Sequence, residues 1–378
     1  MNTKVKTAIV GLVFGRYIVE DQILHGPGGE FLEISGVCDL DHARRDAIAG
    51  RNGLRRFESL EEILRDPEVE AVGLFTGPVG RAGLIRRIIR AGKHVMTTKP
   101  FELDADAALS VLQEARSLGK VVHLNSPGPL VEPEGLQILE WVKEFDLGRP
   151  ISFHWETHGN SFEKADGSWY DDPEKCPAAP IFRLGIYAIN QFTRLHGNIE
   201  SVGIVSSRIR TGRPTDDNAI LTLRFENGVI GSIHASFCVG NGYPYADDLI
   251  INYERGTIRS EAVATDQYGM TRKRVWLQTV SDAGEVFTRE THFGRDEKAG
   301  GYNWSAFYEA VRTGAPLKGE IQPEQIVAGI EVIAAMAEAE ATGLGVCISS
   351  RNAVLHVQRS VDRQSENEPM LSVMGQPT

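Results

Sequence analysis

Along its first third the chain alternates short apolar runs with amphipathic stretches. The runs are KTAIVGL, LEISGVCDLD, VEAVGLF, KHVMTT and KVVHLN, each followed by turn residues. Between them, segments such as LEEILRDP and GLIRRIIRA place apolar residues at helical spacing. Near-continuous apolar strands joined by helices predict a doubly wound parallel sheet covered on both faces, here over residues 1–124. Ligands of such sheets bind beyond the carboxyl ends of the strands. The residues that follow each run are therefore the first candidates for chemistry.

GLVFGRY follows the first run, where a phosphate-binding turn belongs. Gly11 can form the tight turn, and Gly15 opens the helix. Val13 stands where a G-x-G motif has the glycine that lets backbone approach a pyrophosphate. With Phe14, these residues form the expected cofactor turn; a plain strand-to-helix turn is the alternative. Asp39 ends the second run, placed to accept hydrogen bonds from the adenosine ribose hydroxyls and to repel a 2′-phosphate. It points to NAD over NADP, with Arg44 and Arg45 arguing the other way; a cap on the next helix is the competing role. Thr76 follows the third run. Lys99 follows the fourth directly, held by Pro100. A lysine there needs a carboxylate partner, Glu102 or Asp104, or a ligand oxygen to polarise. Asn125 follows the fifth run, within reach of nicotinamide or substrate.

Residues 181–192, IFRLGIYAINQF, predict a helix on which Arg183, Tyr187 and Asn190 share one stripe of an otherwise apolar surface. Such a stripe needs a polar destination. The preceding residues 167–180, GSWYDDPEKCPAAP, read as a loop that shapes a pocket, with Trp169 or Tyr170 able to stack on a sugar face. HWETHGN puts His154, Glu156 and His158 on one face of a strand. Alternating His/Glu/His can hold a metal, but a solvated face or a subunit contact is the commoner use, so no metal is expected.

Composition narrows the class. The net charge of −11 argues against nucleic acid and anionic membranes as partners. No apolar run approaches the roughly 18 residues of a membrane span. The four cysteines are far apart, without a C-x-x-C pair, which fits neither a disulfide framework nor a zinc ribbon. The N-terminus enters an apolar strand without signal-peptide architecture, so a reducing cytoplasm is the expected location. At 378 residues two domains are expected, 1–124 and 125–350, with residues 351–378 a loose polar tail.

Taken together, these residues resemble the Gfo/Idh/MocA family of glucose–fructose oxidoreductase, inositol dehydrogenase and their relatives. AGKHVMTTKPFELDADAALSVLQEARSLGKVVH resembles the family's strand, E-K-P turn and helix. FDLGRPISF resembles the hinge between domains, and LTLRFENGVIGSIHASF the paired central strands of the substrate domain. FYEAVRTGAPLKGEIQPEQIVAGIEVIAAMAEAEATG resembles the closing helices. The resemblance implies a second, α+β domain with a large open, mostly antiparallel sheet, through whose open face members associate as homodimers or homotetramers. It also implies that IFRLGIYAINQF is the cleft helix, with pattern D-x-G-x-H-x-x-D. Gly185 matches; Arg183, Tyr187 and Asn190 replace Asp, His and Asp.

On that basis Lys99 and Tyr187 are the expected catalytic pair of an NAD(P)-dependent dehydrogenase acting on CH–OH groups. The substrate would be a sugar, cyclitol or sugar acid, contacted by Arg183, Asn190, Asn125 and Trp169. A phenol ionises near about 10, and a neighbouring cation lowers that value. The departures trade negative charge for positive: Thr98 replaces the family's glutamate, and Arg81 a histidine. A cleft with Lys99, Arg183 and Arg81 suits a carboxylate-bearing substrate, unless Asp171, Asp172 or Glu174 neutralises Arg183. Two other readings stay open. One is a sugar or dinucleotide sensor without turnover. The other is a lyase or glycosidase that oxidises its substrate only transiently.

Overall fold

A computed structural model describes residues 3–124, 131–159, 164–243, 245–265, 271–281, 283–294 and 302–348. The five apolar runs become parallel strands β1 (Val5–Val10), β2 (Leu32–Cys38), β3 (Ala71–Leu74), β4 (His94–Thr97) and β5 (Val122–Leu124), in the order β2-β1-β3-β4-β5. Their apolar content follows from burial on both faces: Ala8, Val72, Leu74 and Val95 have no exposed surface. The helices are α1 (Gly15–Tyr17), α2 (His42–Asn52), α3 (Leu60–Arg65), α4 (Arg81–Arg90) and α5 (Ala105–Ser117). Asp41 caps α2 by accepting from the Arg44 N–H (3.0 Å). Asp104 caps α5 by accepting from Asp106 and Ala107. The chain leaves β1 toward β2 on one side and β3 on the other, so the crevice lies above β1 and β3.

Helix α6 (Pro133–Glu144) leads into a second sheet of β6 (Pro150–Gly159), β7 (Ile199–Ser207), β8 (Asn218–Phe225), β9 (Ile230–Ser236), β10 (Tyr245–Tyr253), β11 (Gly256–Thr265), β12 (Thr271–Val280), β13 (Val286–Phe293) and β14 (Val346–Cys347). Their order is β13-β12-β11-β10-β6-β9-β8-β7-β14, and among the described residues only β6 and β9 pair in parallel in this sheet. One face packs on α7 (Ile186–His196) and α9 (Pro323–Thr342). Phe153 of β6 stacks on Phe192 of α7 with ring centroids 3.7 Å apart. The strict in–out alternation along β8 leaves its other face outward, with Ile220, Thr222 and Arg224 exposed.

The chain then returns to the first layer. Trp304 and Phe307 of α8 (Trp304–Thr313) are fully buried in the same core cluster as Ile9, Ile18 and Phe75. Helix α9 bridges the layers. Ile326, Val327 and Ile330 join the core of α4 and α5, whereas Val332, Ile333 and Met336 join that of the second sheet. Packing units therefore do not coincide with consecutive segments of chain. Among the described residues no helix is long and apolar enough to cross a membrane. Residues 351–378 lie outside the described residues.

Candidate active site

The turn after β1 has the geometry that close backbone approach requires. Gly11 has φ +85°, and a Cβ there would lie 2.8 Å from the carbonyl carbon and oxygen of Phe75. Only glycine fits. A Cβ on buried Gly15 would lie 3.2 Å from Ile9, so α1 packs closely on the strand. The side chain of Val13 is 64% exposed and stands out from this turn. Phe14 is drawn into packing: its ring meets Phe75 edge-on at 5.7 Å and Tyr302 at 6.5 Å. Tyr302, from the distant C-terminal stretch, was invisible to a reading of consecutive residues.

Asp39 is buried at the edge of the same turn. Its Oδ2 accepts from the Leu12 N–H (2.6 Å), and its Oδ1 from the Asp41 N–H (2.8 Å). Arg44 lies 3.3 Å from Oδ1 and 3.2 Å from Asp41. Asp39 thus ties β2 to the phosphate-type turn, while the helix-capping role falls to Asp41. Thr76, half-buried, begins the turn after β3, beside Gly11.

Lys99 and Tyr187 are brought together from the two sheets. The Lys99 ammonium lies 5.2 Å from the Tyr187 ring centroid and donates to the carbonyl of Arg183 (2.5 Å). Glu102 and Asp104, the carboxylates weighed as its partners, serve helix N-termini instead. Glu102 accepts from the N–H groups of Gly80 and Ala82 at the start of α4. Residues Ile181–Gly185 form a π-helical turn rather than the first turn of an α-helix. A π-turn rotates successive side chains less per residue, which opens the spacing on which the three-residue stripe was read.

That stripe divides. Arg183 stacks its guanidinium on Tyr170 (3.8 Å) and Phe237 (4.5 Å), and Tyr187 is half-buried beside Lys99. Asn190 is 8% exposed and sits against α9: a Cβ at Gly329 would meet its Oδ1 at 2.7 Å. Asn190 thus makes a helix–helix contact with α9. Arg81 is held by backbone in turn. It is buried below the cleft and donates to the carbonyls of Thr76, Thr98, Pro100 and Phe101, clamping the loops after β3 and β4. Burial lowers its pKa to about 10. Asp171 pairs with Arg213 (2.6 Å), and Asp172 with Lys175. Asn125 lies outside the described residues.

Trp169 closes one side of the cleft, where its ring would lie 3.2 Å from a Cβ at Gly77 and packs on Tyr170 at 4.2 Å. Buried Cys176 lies in the same loop. Burial pushes its thiol up to about 12 despite the opposing pull of Arg183, Lys99 and Arg213. It stays protonated and unsuited to act as a nucleophile.

Residues 5–126 match the model of an oxidoreductase family with an NAD-binding Rossmann fold, and residues 136–259 match the GFO/IDH/MocA C-terminal domain. The chain belongs to the GFO/IDH/MocA family. It is an NAD-binding oxidoreductase. Similar curated proteins include dehydrogenase aclE of Aspergillus oryzae, 24% identical over 69% of this chain and 78% of that one. Inositol 2-dehydrogenase of Rubrobacter xylanophilus is 24% identical over 59% of this chain and 62% of its own length. Among solved structures, GenD2 from gentamicin A biosynthesis in complex with NAD superposes with TM-score 0.71 at 18% identity, covering 92% of this chain and 97% of that one.

Within this GFO/IDH/MocA frame, the sheet pairing corrects the His/Glu/His face. His154 turns to Ser232 (Nδ1–Oγ 2.8 Å), and His234 of β9 takes its place beside Glu156. Phe237 and Arg213 were also missed, because their place in the cleft depends on strand pairing and on a loop folded over Asp217. Asp217 accepts from the N–H groups of Ile209 (2.9 Å), Arg210 (2.8 Å) and Thr211 (2.7 Å).

Proposed function

We propose that this chain moves a hydride between NAD and a secondary carbinol of a sugar, cyclitol or sugar acid. The observation that carries the reading is the meeting of Lys99 and Tyr187 at the carboxyl edge of an NAD-binding sheet, each supplied by a different layer. The fit to a dinucleotide rests on Gly11, where a Cβ would fill the space beside the Phe75–Thr76 backbone, and on the Asp39 carboxylate at the edge of that turn. Gly11, Val13, Phe14 and Gly15 would line the pyrophosphate, with Asp39 at the adenosine ribose and Thr76 on the nicotinamide side. When bound, the nicotinamide supplies the hydride acceptor.

The chain's own groups do the rest. The Lys99 ammonium polarises the carbinol oxygen, held in place by the Arg183 carbonyl. The Tyr187 phenol exchanges the carbinol proton. The Arg183 guanidinium, stacked on Tyr170 and Phe237, binds an acidic substituent, and Trp169 covers the sugar face. Inositol 2-dehydrogenase among the relatives supports a polyol or sugar-like substrate, and the arginine-bearing helix favours an acidic one. We also place the chain in a homo-oligomer joined through the open sheet face.

Native mass spectrometry with added NAD, followed by NADH formation against a panel of sugars, cyclitols and sugar acids, tests the reading. Expected are one dinucleotide per chain and turnover with at least one substrate. Tyr187→Phe should lower kcat by roughly 10²–10⁴ with little change in KM or in NAD binding. Tyr187→Phe turning over at the wild-type rate would remove the tyrosine from the chemistry. Dinucleotide binding with no net NADH, but with loss of a glycosidic group, would favour transient oxidation instead.

A further inference from the structure

Strands β6 and β9 run side by side in parallel, with Glu156 directly opposite His234. Glu156 has the opposite parity to Phe153, which packs on α7, so Glu156, His158 and His234 lie on the outer face of the sheet, away from Tyr187. Glu156 Oε1 is 3.0 Å from His158 Nε2 and 3.0 Å from His234 Nδ1. One ligand-capable atom from each of the three residues lies within 4.8 Å of the others.

The hydrogen bonding around the cluster bears on where its lone pairs point. His234 Nε2 is 3.0 Å from Asn218 Oδ1, and the Asn218 amide nitrogen donates to Ser207 Oγ at 3.3 Å. With the amide in this orientation, Nε2 is the protonated nitrogen of His234. In a neutral ring Nδ1 then carries the lone pair, and it faces a carboxylate oxygen. His158 Nε2 is buried with that same oxygen at 3.0 Å but without hydrogen-bond geometry. Two imidazole nitrogens thus flank one oxyanion, all within 4.8 Å of one another, a donor cluster that a cation can bridge.

We propose that Glu156, His158 and His234 bind a divalent metal ion of the zinc class on the outer face of the second sheet. Two imidazoles and one carboxylate are a borderline donor set of the kind such ions prefer. Metal–ligand bonds of about 2.0–2.2 Å put tetrahedral donors roughly 3.3 Å apart, close to the two 3.0 Å separations. Asn218 is the outer partner that sets the tautomer of His234. Asp248, opposite Glu156 on β10, adds negative charge beside the site. His154 is no part of the set.

The test uses the full-length, untagged chain, stripped with a chelator and titrated with Zn²⁺ by calorimetry and with Co²⁺ by visible absorption. Expected are one ion per chain and a cobalt spectrum of low coordination number. Asn218→Ala should weaken binding by about 10–100-fold, His158→Ala and His234→Ala by more, and His154→Ala not at all. Zn²⁺ should raise the melting temperature of the wild type and not that of Glu156→Gln, a variant of the same shape whose fold is checked without metal. Absence of saturable binding by the wild-type chain would overturn the proposal, since the fold is then not at issue. So would unchanged affinity in folded His158→Ala and His234→Ala. Neither result bears on hydride transfer, because no cleft residue is altered.

Discussion

Asp39 shows how much one carboxylate at a strand end can control. It braces the turn after β1 through the Leu12 N–H and also lies beside Arg44, whose guanidinium it shares with Asp41. If Asp39 holds the adenosine ribose as proposed, Asp39→Ala should remove charge-assisted hydrogen bonds worth about 1.5–3 kcal/mol, or roughly 10–100-fold in affinity. Arg44 is at the same time released toward a 2′-phosphate. NAD affinity should therefore fall more than NADP affinity, which fluorescence titration of both cofactors would measure. An equal loss for the two would leave Asp39 a turn clamp with no part in selection. Lys99 and Asp39 were legible as residues because both directly follow apolar runs, and strand ends are where such sheets bind ligands. Arg183 departs from the stripe because the π-turn at Ile181–Gly185 breaks the α-helical spacing, whereas Asn190, on the same regular helix as Tyr187, meets Gly329 of α9.

At the scale of elements, the loop between β7 and β8 folds around one buried carboxylate. Asp217, fully buried, accepts three backbone N–H groups from Ile209, Arg210 and Thr211. The N–H bonds hold its carboxyl below the usual range, although burial alone would raise it. The same loop carries Arg213, which pins Asp171 and faces the ring of Tyr170 at 5.7 Å. Replacing Asp217 with Ala leaves three donors without their acceptor and should cost about 2–4 kcal/mol. Urea unfolding reads that loss directly; substrate KM should rise with it, because Tyr170 and Arg183 lose their backing. A variant as stable as wild type would show that solvent satisfies the loop. Nothing in the local sequence TGRPTDDNA marks this role, since it depends on the loop folding back over its own strand.

Across the whole molecule, buried neutral histidines link the two layers to pH. His123 of β5 packs on Phe307 of α8 (5.5 Å), and burial lowers its pKa to about 3. His196, stacked on Phe192 at 5.6 Å, is lowered by burial to about 4. Unfolded histidine titrates near 6.5. Between that value and the folded ones the unfolded chain binds more protons, so stability rises with pH. The contribution is whole above about pH 6.5. Below it, each histidine removes about 1.4 kcal/mol per pH unit down to its folded value. Urea midpoints should therefore fall between pH 6.5 and 5, above the range where most carboxylates titrate. His123→Phe, which keeps the aromatic contact, should make that slope shallower by about one histidine's share; an unchanged slope would remove His123 from the acid response.

The period of its apolar residues was enough to determine the parallel sheet, its strand ends and the placement of Gly11, Asp39 and Lys99 on them. Those are consequences of local pattern: burial on both faces demands continuous apolar strands, and the turn after each strand is set by the residues within it. Tertiary structure decided what met at those ends. Tyr187 reaches Lys99 because the second sheet presents the cleft helix to the first. Arg81 is removed from the cleft because its two terminal guanidinium nitrogens find carbonyls on two loops that are separate in sequence. Glu156 meets His234 rather than His154 because β6 and β9 pair in one register across 78 residues. Long-range pairing leaves no period in the chain, so the partners of a correctly placed residue become visible only once the sheets are built.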